Sequence, residues 1–116
     1  MRFFATAGIG LVSMVSAATA APMANDMDLV YGKYQMAIRA AQLCRGAPDT
    51  DAVWRKWSSY LDAKTNHELG AGERLSIIEG VKGDVTYLVR RQGCGSPTIR
   101  DLLAFYDAEL AALVGK

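Results

Sequence analysis

Apolar residues recur at three- and four-residue spacing through four stretches of this chain, and nowhere do they alternate at period two for long enough to argue a strand. From Asp26, the residues Val30, Tyr34, Ala37, Ile38, Ala41 and Cys44 form one side of a helix, while Lys33, Gln35, Arg39, Gln42 and Arg45 take the other. Asn25 or Asp26 caps its first turn, and Gly46 followed by Pro48 stops it. A second helix opens at Asp49-Thr50-Asp51, whose side chains suit free amides and whose charges suit the positive helix end. It carries Val53, Trp54, Trp57, Tyr60 and Leu61, fades through Lys64 to Glu68, and breaks at Gly70-Ala71-Gly72. The third runs from Glu73 to Arg91 with a stripe of Leu75, Ile78, Val81, Val85, Leu88 and Val89. Gly80 and Gly83 lie inside it at a cost of about 1 kcal/mol each relative to alanine. They imply either a closely approaching helix or a kink. The fourth has the clearest start, Ser96 at the cap and Pro97 at the first helical position, followed by Ile99, Leu102, Leu103, Tyr106, Leu110 and Leu113.

Four amphipathic helices joined by short loops predict an all-α domain, a small four-helix bundle of up-down-up-down course, with a looser orthogonal packing as the alternative. The two cysteines bear on this. Cys44 ends the first helix and Cys94 follows the third. In an up-down-up-down bundle those helices point the same way, so both thiols arrive at one end and a bridge is within reach. A disulfide closing a loop of about 50 residues contributes roughly 4 kcal/mol in the chain-entropy model. The predicted domain is close to the size at which such a staple matters.

The N-terminus reads as an export signal. Met1-Arg2 precedes an apolar, small-residue run from Phe3 to Ala17, then the small-x-small site Ala18-Thr19-Ala20. Thr6, Gly8, Gly10, Ser13 and Ser16 interrupt the run and weaken it against the roughly 20 strongly apolar residues of a membrane span. The expected organisation is a cleaved signal peptide over residues 1–20 and one helical domain over 21–116, with Ala21 to Asn25 as a short lead. No cysteine stands at the cleavage point to carry a lipid, so no stable membrane anchor is expected after cleavage. The expected location is periplasmic or secreted. Loss of residues 1–20 removes Arg2 and leaves twelve basic against twelve acidic residues. A neutral domain has no basic field for nucleic acid or anionic membrane.

Chemistry is harder to place. The sole histidine, His67, has only Asn66 and Glu68 beside it, which cannot face it on a helix, and reads as a solvated or helix-capping residue. With two cysteines and one histidine no metal site is expected, and Met23, Met27 and Met36 read as lead and packing residues. Trp54, Trp57 and Tyr60, at i, i+3 and i+6, are either core or an aromatic row that grips a partner. Arg90 and Arg91 suit the negative end of the third helix. With Arg45 brought near by the disulfide, they are also a candidate anion site. Glu79 and Lys82 read as a surface ion pair. No catalytic constellation, phosphate loop, Cys-x-x-Cys redox pair or haem attachment is present, and no cofactor is implied. The expectation is an exported module that binds another exported protein, as an inhibitor, immunity factor, subunit or chaperone does. A small all-helical enzyme or a carrier of a small ligand is the alternative.

Overall fold

The computed structural model describes residues 26–115. The signal peptide read over residues 1–20, the lead to Asn25 and the position of Met23 lie outside them. The described residues fold into four α-helices, α1 (Asp26–Arg45), α2 (Asp51–Lys64), α3 (Ala71–Gln92) and α4 (Pro97–Glu109), and a 3-10 turn over Ala111–Val114. No strand occurs among them, and no helix among them is long and apolar enough to cross a membrane.

Most helix ends follow the local chemistry. Asp26 and Asp28 occupy the first turn of α1 and Arg45 its last, each favourable to the helix dipole. Gly46 then takes φ 63°, a left-handed conformation that glycine adopts without penalty. Thr50 caps α2 by accepting from the N–H of Val53 at 3.2 Å, and Ser96 caps α4 by accepting from Ile99 at 3.4 Å. Two boundaries differ from expectation. Helix α3 starts at Ala71 rather than Glu73, with Gly70 at the cap and no side-chain cap bond. The stripe that reads as one helix to Leu113 instead passes at Leu110 into the 3-10 turn, where Leu110 and Ala111 remain buried. Helix α2 ends with Asn66 and His67 both left-handed, at φ 57° and 58°. The buried Thr65 hydroxyl donates to the carbonyl of Leu61 at 2.9 Å there.

Helix α1 is the hub. It packs against α3 and α4 and, less extensively, against α2, which also touches the 3-10 turn. Tyr31, Tyr34, Gln35, Ala37, Ile38, Ala40 and Ala41 of α1 are all buried, and three completely buried alanines leave room for close neighbours. Trp57 and Leu61 of α2, Val85 of α3 and Ile99, Leu102, Leu103 and Tyr106 of α4 complete the core. Fully burying such a side chain contributes roughly 1.5–3 kcal/mol. Met27 and Met36 pack against its edge, as packing residues should.

Helix α3 keeps step with α1. Glu73 hydrogen-bonds Asp28 near their starts, and a Cβ on Gly32 would lie 3.8 Å from Ile77. Arg39 donates to Thr86 at 3.3 Å further along, and the Cys44–Cys94 disulfide joins their ends with 5.9 Å between Cα atoms. Neither Gly80 nor Gly83 answers to a close neighbour, since a Cβ at either position would meet nothing within 4 Å. At the opposite flank of α1, Tyr34 and Tyr60 both donate to Oε1 of Glu109, at 2.9 and 2.8 Å, tying α1, α2 and α4 together. A carboxylate at the end of α4 faces the negative pole of its own helix. The Tyr60 and then the Tyr34 hydroxyl offset this and hold its pKa below the ordinary carboxylate value. Tyr34 in turn is pushed above the ordinary phenol value by burial first and by Glu109 second.

Candidate functional site

A cleft of about 280 Å³ opens where the middle of α1, the start of α2 and the middle of α3 meet. Its apolar part is Ile38 of α1, Trp54 of α2, and Ile78 and Val81 of α3. Its polar part is Gln35, Arg39 and Gln42 of α1, Asp49 of the connecting loop and Lys82 of α3. Trp54 stands edge-on to the buried Trp57, with ring centroids 5.1 Å apart, and its indole N–H donates to Asp49 Oδ1. The Trp54 wall is therefore fixed by one ring contact and one hydrogen bond.

The donors are the notable part. Gln35 is buried and bonded to Tyr31. Arg39 Nη2 is held by Thr86, but Arg39 Nε is buried with no partner among the described residues. Gln42 Nε2 is likewise buried and unpartnered. Leaving a buried N–H unsatisfied costs about 1–3 kcal/mol, more for a charged group, and the indole N–H of the wholly buried Trp57 is a third such donor. Arg39 and Lys82 are two cations against the single carboxylate of Asp49 at this place. The cleft is thus rich in donors and carries an excess of one positive charge.

Two shallower depressions adjoin it. One shares Trp54 and the other shares Ile78, and both include Ser58 and Arg74. Arg74 reaches Asp62 Oδ1 at 3.5 Å, which bridges α2 and α3 at that end. His67 Nδ1 lies 2.6 Å from the other oxygen of Asp62, so the histidine joins a surface polar cluster at the end of α2. Among the described residues, no group of three or more His, Cys, Asp or Glu side chains is placed to hold a metal ion.

The aromatic row divides by depth. Trp57 is wholly buried, against Tyr106 with centroids 6.1 Å apart. Tyr60 is half-buried and bonded to Glu109, and Trp54 is half-buried at the cleft. Only Trp54 of the three lines the cleft. The arginines have their own surroundings. Arg45 pairs with Asp107 at 2.5 Å, Arg91 lies over the Tyr87 ring at 5.8 Å, and Arg90 is exposed. None of the three lines the cleft. The expected Glu79–Lys82 pair does not form, and Lys82 lines the cleft instead. An i,i+3 pair on an exposed helix gains only about 0.2–0.5 kcal/mol, too little to fix two long side chains.

Sequence reasoning missed Arg39, Gln42 and Lys82 because it placed the first two on the solvent side of α1. That side is partly covered, Gln35 being buried and Arg39 and Gln42 half-buried, since α3 packs along it. The available signal was their spacing: Gln35, Arg39 and Gln42 recur at i, i+4 and i+7, a polar stripe on one face of a helix that the other elements surround. Comparison with protein-family models, with curated proteins and with solved structures finds no match to this chain.

Proposed function

We propose that this protein is an exported, non-catalytic binding module of the accessory kind, and that the cleft between α1, α2 and α3 receives a side chain of another exported protein. The observation that carries this reading is a cleft that sets Arg39, Gln42 and Lys82 beside a fixed aromatic wall. An interaction hot spot has this make-up, a small, largely desolvated pocket with an aromatic and an arginine. Binding is favoured over catalysis because the cleft offers donors, while its one carboxylate already accepts from Trp54. The same reading takes residues 1–20 as the export signal and the disulfide as the mark of a periplasmic or extracellular location. It also takes the four helices as an up-down-up-down bundle.

A second reading is supported by the size of the cleft. At about 280 Å³ it is near the lower end of small-molecule sites. A carrier or sensor of a small acid would use the same donors.

Photo-crosslinking tests the first reading. With a benzophenone amino acid in place of Trp54, the exported, disulfide-bonded protein should trap one partner at near-equal stoichiometry. The same group in place of Leu29, which is 63% exposed and outside the cleft, should not trap it. Identical products from both positions, or none from Trp54, would remove the reading.

A further inference from the structure

We propose that the outer face of α3 is a self-association surface, on which a second copy of this chain packs its own α3 in antiparallel. The residues Gly72, Ser76, Gly80, Gly83, Tyr87 and Arg90 follow one another at spacings of four, four, three, four and three, which sets them on one side of the helix. All six are exposed, and Val85, the buried residue of α3, lies on the opposite side. Glycine inside a helix lowers its stability and is used where another backbone comes close. Within the chain nothing does, since a Cβ on Gly72, Gly80 or Gly83 would meet no atom within 4 Å. A shallow depression lies over Gly83 instead, rimmed by Glu79, Lys82, Thr86, Tyr87 and Arg90.

The occupant that fits this face is the face itself. Helix α3 spans Ala71–Gln92, so an antiparallel copy centred on it brings together positions equally far from the two ends. Gly80 of one copy then lies against Gly83 of the other, Ser76 against Tyr87, and Glu73 against Arg90. The glycines remove side chains at the crossing point, where two helix axes come closest. Tyr87, 56% exposed, gains a small residue to lie over. Charge follows the same symmetry. Glu73 and Glu79 stand in the first half of α3, and Lys82, Arg90 and Arg91 in the second. Arg74 is turned aside to Asp62, and Asp84 stands at the edge of the face. Glu79, Lys82 and Arg90 make no hydrogen bond or ion pair among the described residues. Glu73 hydrogen-bonds Asp28, so two carboxyl groups meet at this end of α3 and an arginine brought beside them is stabilising. An antiparallel pair sets acidic half against basic half twice over, whereas a parallel pair sets like against like. One helix pair buries under about 1,200 Å² in total, which makes the dimer reversible.

The test is sedimentation equilibrium of the exported, oxidised protein from about 1 μM to about 1 mM. A reversible monomer–dimer equilibrium is expected. Gly80→Gln/Gly83→Gln should raise its dissociation constant at least about tenfold. Thermal unfolding of that variant should stay the same or move upward, because glutamine is the better helix former and both positions have room. Glu73→Arg should weaken the dimer to a similar degree, and adding Arg90→Glu in the same chain should restore it. A protein that stays monomeric throughout overturns the inference, as does a dimer indifferent to the two glycine substitutions. A charge exchange that restores nothing overturns the antiparallel arrangement. The surface lies on the other side of α3 from the cleft residues Ile78 and Val81, so loss of the dimer should leave the Trp54 crosslink intact.

Discussion

Helices α1 and α3 are nearly equal in length, 20 and 22 residues, and lie side by side, yet they have opposite relations to the core. Seven residues of α1 are buried, including the polar Gln35, whereas α3 buries only Val85. The α3 stripe is as regular as that of α1, but Ile78, Val81, Leu88 and Val89 stay half-buried and Leu75 is 58% exposed. The difference lies in the neighbours. Helix α1 is covered by α2, α3 and α4, while α3 has α1 as its main packing partner. A regular apolar stripe therefore shows that a face can be covered. How deeply it is covered depends on how many elements surround the helix.

The disulfide gives the largest expected effect on this contrast. It joins the far end of α3 to α1, so Cys44→Ala/Cys94→Ala should lower unfolding stability by about 4 kcal/mol in urea titrations. Native-state hydrogen exchange should show α3 losing protection before α1. Equal loss in both helices would break the contrast. Next come paired truncations. Ile38→Ala in α1 removes a side chain that is 1% exposed and should cost about 2–5 kcal/mol. Leu75→Ala in α3 should stay within about 0.5 kcal/mol. Matching costs would mean that α3 is covered by something else.

Acidification gives the smallest effect, and its sign differs between the two flanks of α1. Glu109 is held below its ordinary pKa by Tyr60 and then Tyr34. Its contribution is therefore present above the unfolded carboxylate value of about 4.3 and is lost as pH falls through the folded value. Glu73 is raised, first by its hydrogen bond to Asp28 and then by desolvation. Its contribution is complete below about 4.3 and is lost as pH rises through its folded value. Exchange protection factors compared at neutral pH and near pH 4 should rise at the start of α3 relative to the end of α4. Changes in the same direction at both places would show that the carboxyl contacts do not govern the two flanks.

The fold class was legible because it depends on local signals. The Asp49-Thr50-Asp51 and Ser96-Pro97 starts, the Gly46 stop and the 3.6-residue stripes all act within a turn or two, and each located an element to within a few residues. The disulfide was legible because two cysteines permit one pairing. The end of α4 was not, since an apolar run gives no sign of a change from α to 3-10 geometry at Leu110. The cleft was not legible either. Gln35, Arg39 and Gln42 look like a solvated face in sequence, and the burial of Gln35 and partial cover of Arg39 and Gln42 follow only from the position of α1 among three other helices. Trp54 and Trp57, three residues apart, show the same limit: one lines the cleft and the other is sealed beneath it.

The Cys44–Cys94 bond also divides the chain by mechanical load. Helices α2 and α3 both lie inside the covalent loop it closes, 50 residues in sequence separation, while most of α1 and all of α4 lie outside. Tension applied between the chain ends passes from α1 through the bridge to α4, and the walls of the cleft contributed by α2 and α3 bear none of it. Stretching the oxidised protein unravels the hub and its α4 flank first. Reduction then releases roughly 170 Å of further contour, since an extended chain spans about 3.3–3.6 Å per residue.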